Sequence, residues 1–260
     1  MKIHLDDVSW PEVEEMLKKP HVLLIPVGSV EQHGPHLPLS VDSRCANYMA
    51  EQAAEKVIAE YQIVAAVAPT INYTGVETFE SFPGSIGISV DTEIRVIGDI
   101  VRSCIKQGFR NIILINGHYP NVTSINTALR QVSIDYPEAG LYAVNWFSLG
   151  FEIMSNILKS SSPAMHADEI ESSVSLVIQP ENVNLNKAVK EFPSFSLSDK
   201  WLAPNRVFYH SRMKFPKFGT HFGVMGDPTV ATKETGEKIV KAVVDDLAEI
   251  IVEVVKSEGK

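Results

Sequence analysis

Short runs of apolar residues alternate along the chain with longer stretches in which apolar residues recur every three or four positions. Four short runs have the length of a strand and consist mostly of apolar residues; they cover residues 22–27, 63–67, 111–116 and 141–147. Such runs are typical of parallel strands that are buried on both faces of a sheet. The pattern therefore predicts parallel strands at these four places.

The stretches between these runs have the apolar spacing of helices. Helices are predicted at residues 7–18, 42–61, 91–107, 122–132 and from residue 229 onward. Ser9 is placed to cap the first helix, and the third is expected to have Asp91 as its cap and to stop at Gly108. The order of strand, polar loop and helix predicts a parallel sheet covered by helices on both faces. The expected fold is α/β, a three-layer α/β/α sandwich with a mostly parallel central sheet, in a single domain over residues 1–260.

Two long segments have no regular apolar spacing. Residues 69–87 combine glycine with aromatic residues, a composition that favours an ordered functional loop over disorder. Residues 182–226 are rich in aromatic residues, and we expect them to cover the substrate or to form a subunit contact. This second segment favours assembly into a homo-oligomer larger than a dimer.

The composition is that of an ordinary soluble enzyme and argues against several other classes of protein. The chain carries a formal net charge of -9 at pH 7 and has no basic cluster, so nucleic acid is not an expected partner. No apolar run reaches the roughly 18 residues needed to cross a bilayer, so no membrane partner is expected. The N-terminal residues lack the apolar core of a signal peptide, and we therefore expect a cytoplasmic protein.

Polar side chains that suit a metal ion follow two of the strands and precede a later helix. Glu31, His33 and Asp42 come after the first strand, His118 follows the third, and Glu171 lies just before an apolar helical run. Parallel strands place their carboxyl ends at one edge of a sheet, where these groups would meet. Imidazole and carboxylate ligands suit zinc, manganese or iron, and five such groups suit two adjacent ions that share a carboxylate. The sequence therefore predicts a metal site at this edge.

Several of these residues also have a purely structural interpretation. His33 alone would be an ordinary loop histidine, and Asp42 alone is explained as a helix cap. His36 either orients a ligand or serves a subunit contact, and the structural role is favoured. The metal interpretation depends on the joint occurrence of the polar clusters, not on any one residue.

Other kinds of catalytic site find less support. Tyr119, Trp146 and Phe147 are expected to line a pocket, although aromatic residues at strand ends are also common in a core. The chain has no GxSxG motif, which argues against a serine nucleophile, and no glycine-rich fingerprint of a dinucleotide or phosphate site.

Five sequence motifs resemble those of the creatininase (creatinine amidohydrolase) family of metal hydrolases. They read PVGSVEQHGPHLPLSVD, SFPGSI, NGHYPN, HADEIESS and GVMGDPTVAT, and together they span nearly the whole chain. The first motif is highly specific. The resemblance implies a single α/β/α layered domain, hydrolase activity on a small-molecule substrate, and assembly as a homohexamer.

The resemblance also implies roles for individual residues. It implies two divalent metal ions per subunit, zinc, manganese or iron, whose ligands by motif are Glu31, His33, Asp42, His118 and Glu171. The aspartate would bridge the two ions. His166, in the fourth motif, is implied to be the catalytic residue that transfers a proton. Glu169 is a further catalytic candidate, for orienting His166 or the attacking water, and the choice between Glu169 and Glu171 as ligand stays open.

Three departures from the family pattern concern the substrate. Creatininase has a glutamate in its GHYEN turn where this chain has Pro120, and a glutamate before the catalytic histidine where this chain has Met165. Many relatives carry a histidine near the position of Phe79. These departures argue against creatinine as the substrate.

The expected function is hydrolysis of a C–N bond in a small cyclic amide or a formamide by metal-activated water. One alternative is ring opening of a keto-inositol by a hydrolase of the same family. Another is a metal-binding protein without catalytic activity.

Overall fold

The central feature of the computed structural model is a parallel sheet, and the structure describes residues 2–160, 166–192 and 220–257 of the chain. The sheet contains β1 (His21–Val27), β2 (Val64–Val67), β3 (Asn111–Asn116) and β4 (Gly140–Asn145). The strands lie in the order β2-β1-β3-β4, and each adjacent pair is parallel. The four strand predictions are confirmed, although β4 ends at Asn145 and residues 146–148 form a 3₁₀ turn.

Helices connect the strands. In chain order they are α1 (Trp10–Leu17), α2 (Val41–Tyr61), α3 (Val90–Gln107), α4 (Asn121–Asp135), α5 (Phe151–Ile157), α6 (Glu169–Ile178) and α7 (Lys233–Ser257). Gly108 ends α3 with a φ of 109°, as predicted for a glycine stop. The predicted cap was wrong, because Ser89 holds the N-cap position of α3 and Asp91 lies inside its first turn.

The helices form two layers, one on each face of the sheet. Along β1, Val22 and Leu24 belong to the apolar core beneath α2, α6 and α7, while Leu23 and Ile25 belong to the core beneath α3 and α4. Successive side chains of a strand point to opposite faces, so a strand buried on both sides contributes to both cores. The predicted three-layer α/β/α sandwich with a parallel sheet in one domain is confirmed.

The position of α6 depends on one close contact between helices. A Cβ atom on Gly236 of α7 would lie 2.0 Å from the Ser173 carbonyl oxygen of α6, so only glycine permits this approach. The contact holds α6 against α7, and α6 carries Glu169 and Glu171.

Most of the aromatic segment expected to cover the substrate or to mediate assembly, residues 193–219, lies outside the described residues, as does Met165. Among the described residues, no helix combines the length and apolarity that a bilayer crossing requires.

Candidate metal centre

The predicted metal ligands meet where β1 and β3 end and α2 begins. Two glycines make this junction possible. A Cβ atom on Gly28 would lie 2.4 Å from Ser43 backbone atoms, and one on Gly117 would lie 2.2 Å from the Asp42 carbonyl oxygen. The N-terminus of α2 therefore packs directly against the ends of both strands, which places the Asp42 side chain between the two polar loops.

Glu31, Asp42 and His118 form one group, which we call the first ligand group. The His118 Nδ1 atom lies 3.2 Å from Glu31 Oε1 and 3.0 Å from Asp42 Oδ2. All three side chains are buried. Their ligand atoms lie within 4.8 Å of one another, close enough to share one ion.

His33, Asp42 and Glu171 form the second ligand group. The His33 Nε2 atom lies 3.1 Å from Asp42 Oδ1 and 3.6 Å from Glu171 Oε2. Asp42 thus belongs to both groups and turns a different carboxylate oxygen to each. This is the geometry of a carboxylate that can bridge two ions.

Backbone carbonyl groups determine which nitrogen each histidine can offer to a metal. The His118 Nε2 atom lies 3.0 Å from the Gly75 carbonyl oxygen, and the His33 Nδ1 atom lies 3.2 Å from the Glu31 carbonyl oxygen. A carbonyl oxygen only accepts, so each of these nitrogens carries the hydrogen. In the neutral ring the other nitrogen then turns a lone pair toward the carboxylates, as in metal sites with ordered outer partners.

Glu31 supplies the test of whether a cation fits this site. Its side chain is 0% exposed, and neither carboxylate oxygen accepts a hydrogen bond from any described residue. The neutral His118 ring does not satisfy it, because Nδ1, which lies 3.2 Å from Glu31 Oε1, has no hydrogen while Nε2 donates to Gly75. Only the doubly protonated, positively charged ring can donate to Glu31 there. A lone pair that faces a buried carboxylate is unfavourable unless a cation lies between them. The donor set therefore fits a divalent metal ion.

The charges of the cluster are strongly coupled. Burial disfavours the charged form of His33, but the carboxylates of Asp42 and Glu171 outweigh this effect and raise the pKa of His33 to about 10. Burial also opposes ionisation of Asp42, yet the charge on His33 and hydrogen bonds from both histidines lower the pKa of this carboxyl group. Burial raises the pKa of Glu171 to about 8. The cluster attracts positive charge, which either protons or metal ions can supply.

His166 lies beside the first ligand group. Its Nδ1 atom is 3.8 Å from Glu31 Oε1, and its ring stacks on Phe79 with the ring centroids 4.4 Å apart. Burial, followed by the charge on His33, holds the pKa of His166 well below its usual value. The next residue, Ala167, has a φ of 51°, a strained conformation for a residue with a side chain, of the kind found at functional sites.

His166 is also close enough to Glu31 and His33 to share an ion with them. It does not cap α6, because the Asp168 carboxylate accepts hydrogen bonds from the Ile170 and Glu171 N–H groups. His166 therefore has no capping role, and proton transfer and metal binding remain.

The structure does not bring Glu169 into the cluster. Its buried carboxylate accepts hydrogen bonds from the backbone N–H groups of Lys159 and Ser160, and it belongs to none of the ligand groups of the described residues. Glu171 is the α6 glutamate that reaches the site. The expectation that Glu169 orients His166 or water is not supported by this geometry, which gives Glu169 a structural role in holding residues 159 and 160.

The His36 ring lies next to the second ligand group, close to His33 and to α6. Its Nε2 atom is 2.8 Å from the Ser172 hydroxyl group, directly after Glu171 on α6. Burial and the nearby charge of His33 lower the pKa of His36 to about 4. The neutral ring therefore supports α6 at the residue next to Glu171.

A cavity of about 430 Å³ opens onto the cluster. Its floor includes Glu31, Asp42 and His118, and its walls include Tyr119 and Phe147, whose ring centroids lie 6.4 Å apart. Tyr119 and Phe147 therefore line a pocket as predicted. Trp146 does not line this cavity, because the 3₁₀ turn after β4 directs it into the core, where it is 1% exposed.

Sequence reasoning missed the residues that support the ligands. The Ser29 hydroxyl donates to Asp42 Oδ2 at 2.7 Å, and Gly75 lies 43 positions from the histidine it contacts. Gln32 contacts His166 across 134 positions. Ser29 and Gln32 lie inside the first motif, and this position was the only sequence feature that pointed to them.

Comparison with known proteins shows which family the chain resembles. The Creatininase family profile, described as creatinine amidohydrolase, matches residues 6–251. A mycofactocin precursor peptide peptidase from Mycolicibacterium smegmatis is 30% identical over 88% of this chain and 84% of its own. A creatinine amidohydrolase from Pseudomonas putida is 26% identical over 96% of both chains. A 3-dehydro-scyllo-inosose hydrolase from Thermotoga maritima is 25% identical over 96% of this chain and 82% of its own.

Solved structures agree with these matches. A Bacteroides fragilis protein assigned as a creatinine amidohydrolase superposes with a TM-score of 0.82 at 27% identity, and 98% of each chain is covered. Creatininase structures whose names specify a Zn-Zn form and a Mn form superpose with TM-scores of 0.82 at 22% identity, covering 97% of this chain and 98% of theirs. The family profile covers most of the sequence, and the solved structures share the fold. The chain therefore belongs to the creatininase family of amidohydrolases.

Proposed function

We propose that the protein is a binuclear metal-dependent hydrolase that cleaves a C–N bond of a small amide, either cyclic or a formamide. The observation that carries this proposal is the fully buried carboxylate of Glu31, which faces Nδ1 of His118 and which the neutral His118 ring leaves without a donor. One ion would bind the first ligand group and the other the second, with Asp42 shared. Two of the related structures are creatininases in a Zn-Zn form and a Mn form, which supports zinc or manganese here.

Bound ions at this site would supply a Lewis acid for the substrate carbonyl and a water whose pKa falls from about 15.7 toward roughly 7. The residues of the chain have separate tasks. Ser29 orients the Asp42 carboxylate, and the Gly75 carbonyl keeps the His118 ring in the tautomer that a ligand needs. Tyr119 and Phe147 hold the substrate at the mouth of the cavity and exclude bulk water.

His166 is proposed to move the proton. Its pKa is lowered, so the ring is neutral at neutral pH and can accept a proton at Nδ1, the nitrogen that lies 3.8 Å from Glu31. The same nitrogen can then deliver the proton to the leaving amide nitrogen as the C–N bond breaks. The residue needs no metal contact for this role.

The substrate class follows from the relatives and from the cavity. The peptidase and the creatinine amidohydrolase both have names that specify C–N cleavage, which supports an amide substrate. A cavity of about 430 Å³ suits a small molecule or the end of a peptide. The similarity to the inosose hydrolase makes a keto-inositol the second candidate.

The test is removal of metal by a chelator, followed by addition of zinc, manganese or iron, and assay on cyclic amides, formamides and keto-inositols. We expect two ions per chain and metal-restored amide hydrolysis. Restored activity on keto-inositols alone would identify the second candidate. Two bound ions without turnover of any substrate would indicate a metal-binding protein without catalysis, and activity that survives full metal removal would contradict the proposal.

A further inference from the structure

Gln32 lies between the proposed ligands Glu31 and His33, and its buried side chain contacts the His166 ring. The amide has three close neighbours. Its Oε1 atom accepts from the Gly34 N–H at 2.8 Å, and its Nε2 atom lies 2.9 Å from both the Gly223 carbonyl oxygen and the His166 Nε2 atom.

Two of these neighbours fix the orientation of the amide. The backbone N–H of Gly34 can only donate, so the oxygen of the amide must face it. The carbonyl of Gly223 can only accept, so the NH₂ group must face that side. Both requirements give the same orientation, and the second hydrogen of the NH₂ group is left to face His166.

The same histidine nitrogen has a second partner from the same residue. The His166 Nε2 atom also lies 2.9 Å from the backbone carbonyl oxygen of Gln32. When Nε2 carries a hydrogen it donates to this carbonyl, and when it is bare it accepts from the side-chain amide. Gln32 therefore satisfies Nε2 in either neutral tautomer, and a buried ring nitrogen without a partner would be costly.

The remaining contacts of the ring leave it little freedom. Phe79 stacks on it at an interplanar angle of 20°, the His33 ring centroid lies 4.3 Å away, and the His166 backbone pairs with that of Met225. These contacts fix the plane of the ring. Gln32 contacts Nε2 and so restrains the direction in which the ring points within that plane. This direction decides whether Nδ1 or another edge of the ring faces the cavity.

The space occupied by the Gln32 amide is available only because residue 223 is glycine. A Cβ atom there would lie 2.1 to 2.5 Å from the amide atoms, and the φ of 73° at Gly223 also disfavours other residues. The loop therefore accommodates the amide at this position against His166.

We propose that Gln32 is a positioning residue for His166, which holds Nε2 through its backbone carbonyl and its side-chain amide and so keeps Nδ1 turned toward the cavity. This inference rests on the proton-transfer role proposed for His166. It assigns Gln32 no contact with metal or substrate.

The test is Gln32→Met, which keeps the length of the side chain and removes its hydrogen bonds, studied in the zinc-loaded enzyme. We expect kcat to fall about tenfold, the size of effect that one lost hydrogen bond produces, with KM and zinc content unchanged. In the His166→Ala background the same substitution should have no further effect on kcat. Gln179→Met, at another buried glutamine, is the matched control and should leave kcat unchanged.

A direct readout is the tautomer of His166, measured by long-range ¹H–¹⁵N correlation of the imidazole. Gln32→Met removes the donor to Nε2 and leaves the carbonyl, so the ring should shift toward the tautomer with hydrogen on Nε2. Nδ1 is bare in that tautomer, so the expected fall in kcat reports the lost orientation of the ring, and the tautomer shift reports separately the lost contact with the amide. Gln32→Glu keeps the acceptor for Gly34 and should shift the tautomer the same way, which serves if the methionine variant does not fold.

An unchanged tautomer in the variants, equal effects of Gln32→Met with and without His166, or loss of zinc would each overturn the inference. Loss of zinc would instead make Gln32 a support for the ligands. If the metal-loaded wild type hydrolyses no amide, the proposed function fails, whereas the tautomer measurement still decides the role of Gln32.

Discussion

The two ligand groups share Asp42 but are built from different parts of the fold. The first group is delivered by the ends of β1 and β3, and its side chains are at most 3% exposed. The second group takes Glu171 from α6, and that side chain is 15% exposed. Helix α6 begins shortly after Ala167, whose backbone is strained, with a φ of 51°. The position of Glu171 in the second group therefore depends on this strained backbone, whereas Glu31 and His118 of the first group follow strands of the sheet.

This difference teaches how a two-ion site can combine stability with access. Ligands at the edge of a buried sheet are held by hydrogen bonds and packing that the whole core enforces. Glu171 lies next to the cavity on α6, a helix of 10 residues, and can move more easily than a ligand at the sheet edge. We therefore expect the first group to retain its ion more strongly than the second.

The largest effect is expected for Asp42→Asn, which alters both groups at once. Asparagine keeps the size of the side chain but loses the charge that neutralises two ions, so both should be lost together with activity. Metal analysis of the purified variant and a turnover assay check this. The control is Asp245→Asn, because the Asp245 carboxylate pairs with Lys56 on the surface of α7 and α2. Full occupancy by two ions in Asp42→Asn would remove the basis for a shared bridging carboxylate.

His166→Ala is expected to have the next largest effect, on turnover alone. General acid and base catalysis typically contributes about 10² to 10⁴ in rate, so turnover should fall by that order while both ions stay bound. His4→Ala, at a partly exposed histidine that pairs with Glu51, is the control. Loss of an ion would show that His166 is a metal ligand together with Glu31 and His33, and not the residue that transfers the proton.

Glu171→Gln tests the second group by itself. We expect weaker binding of one ion by at least roughly the 10- to 100-fold that even an outer partner contributes, with the other ion retained. Glu169→Gln is a matched control on the same helix, and it should leave metal stoichiometry unchanged. Metal titration by calorimetry distinguishes the two. Equal effects of both substitutions would show that the second group was assigned wrongly.

His118→Ala gives the complementary result, because it removes the histidine of the first group. Here the ion held by the sheet edge should be lost. If His118→Ala and Glu171→Gln weaken the same ion, the division into two groups is incorrect.

Much of the fold was predictable from the sequence because its determinants are local. The apolar runs of β1 and β3 identify strands that are buried on both faces, and polar residues directly after them belong at one sheet edge. The sequence therefore predicts Glu31, His33 and His118 as members of the site. Asp42 followed from its position at the start of a helix that packs on that edge.

The rest depends on rotation about a helix and on contacts between distant residues. Glu169 and Glu171 are two positions apart, so on a helix they point about 200° away from each other and only one can face the cluster. Which one does so depends on where α6 begins, and Asp168 sets that point through its cap. The contact of Gln32 with Gly223 spans 191 positions, and no local pattern predicts it.

The smallest effect in this comparison concerns pH, because a rise in pH should destabilise the metal-free protein and strengthen its binding of metal. In the metal-free protein the pKa of His33 is raised to about 10 from a usual value of 6.5. Its charge therefore stabilises the fold fully below about pH 6.5, and this stabilisation is lost as the pH rises toward 10.

Metal binding must displace that proton and the one on Glu171, whose pKa is raised to about 8. Metal affinity should therefore rise with pH by about tenfold per unit for each proton displaced. Thermal unfolding with and without zinc between pH 6.5 and 8 measures both trends: the metal-free melting temperature should fall and the shift caused by zinc should grow. A zinc-induced shift that does not change over this range would show that these ligands lose no proton on binding, and the charged form assigned to His33 in the metal-free protein would then have to be abandoned.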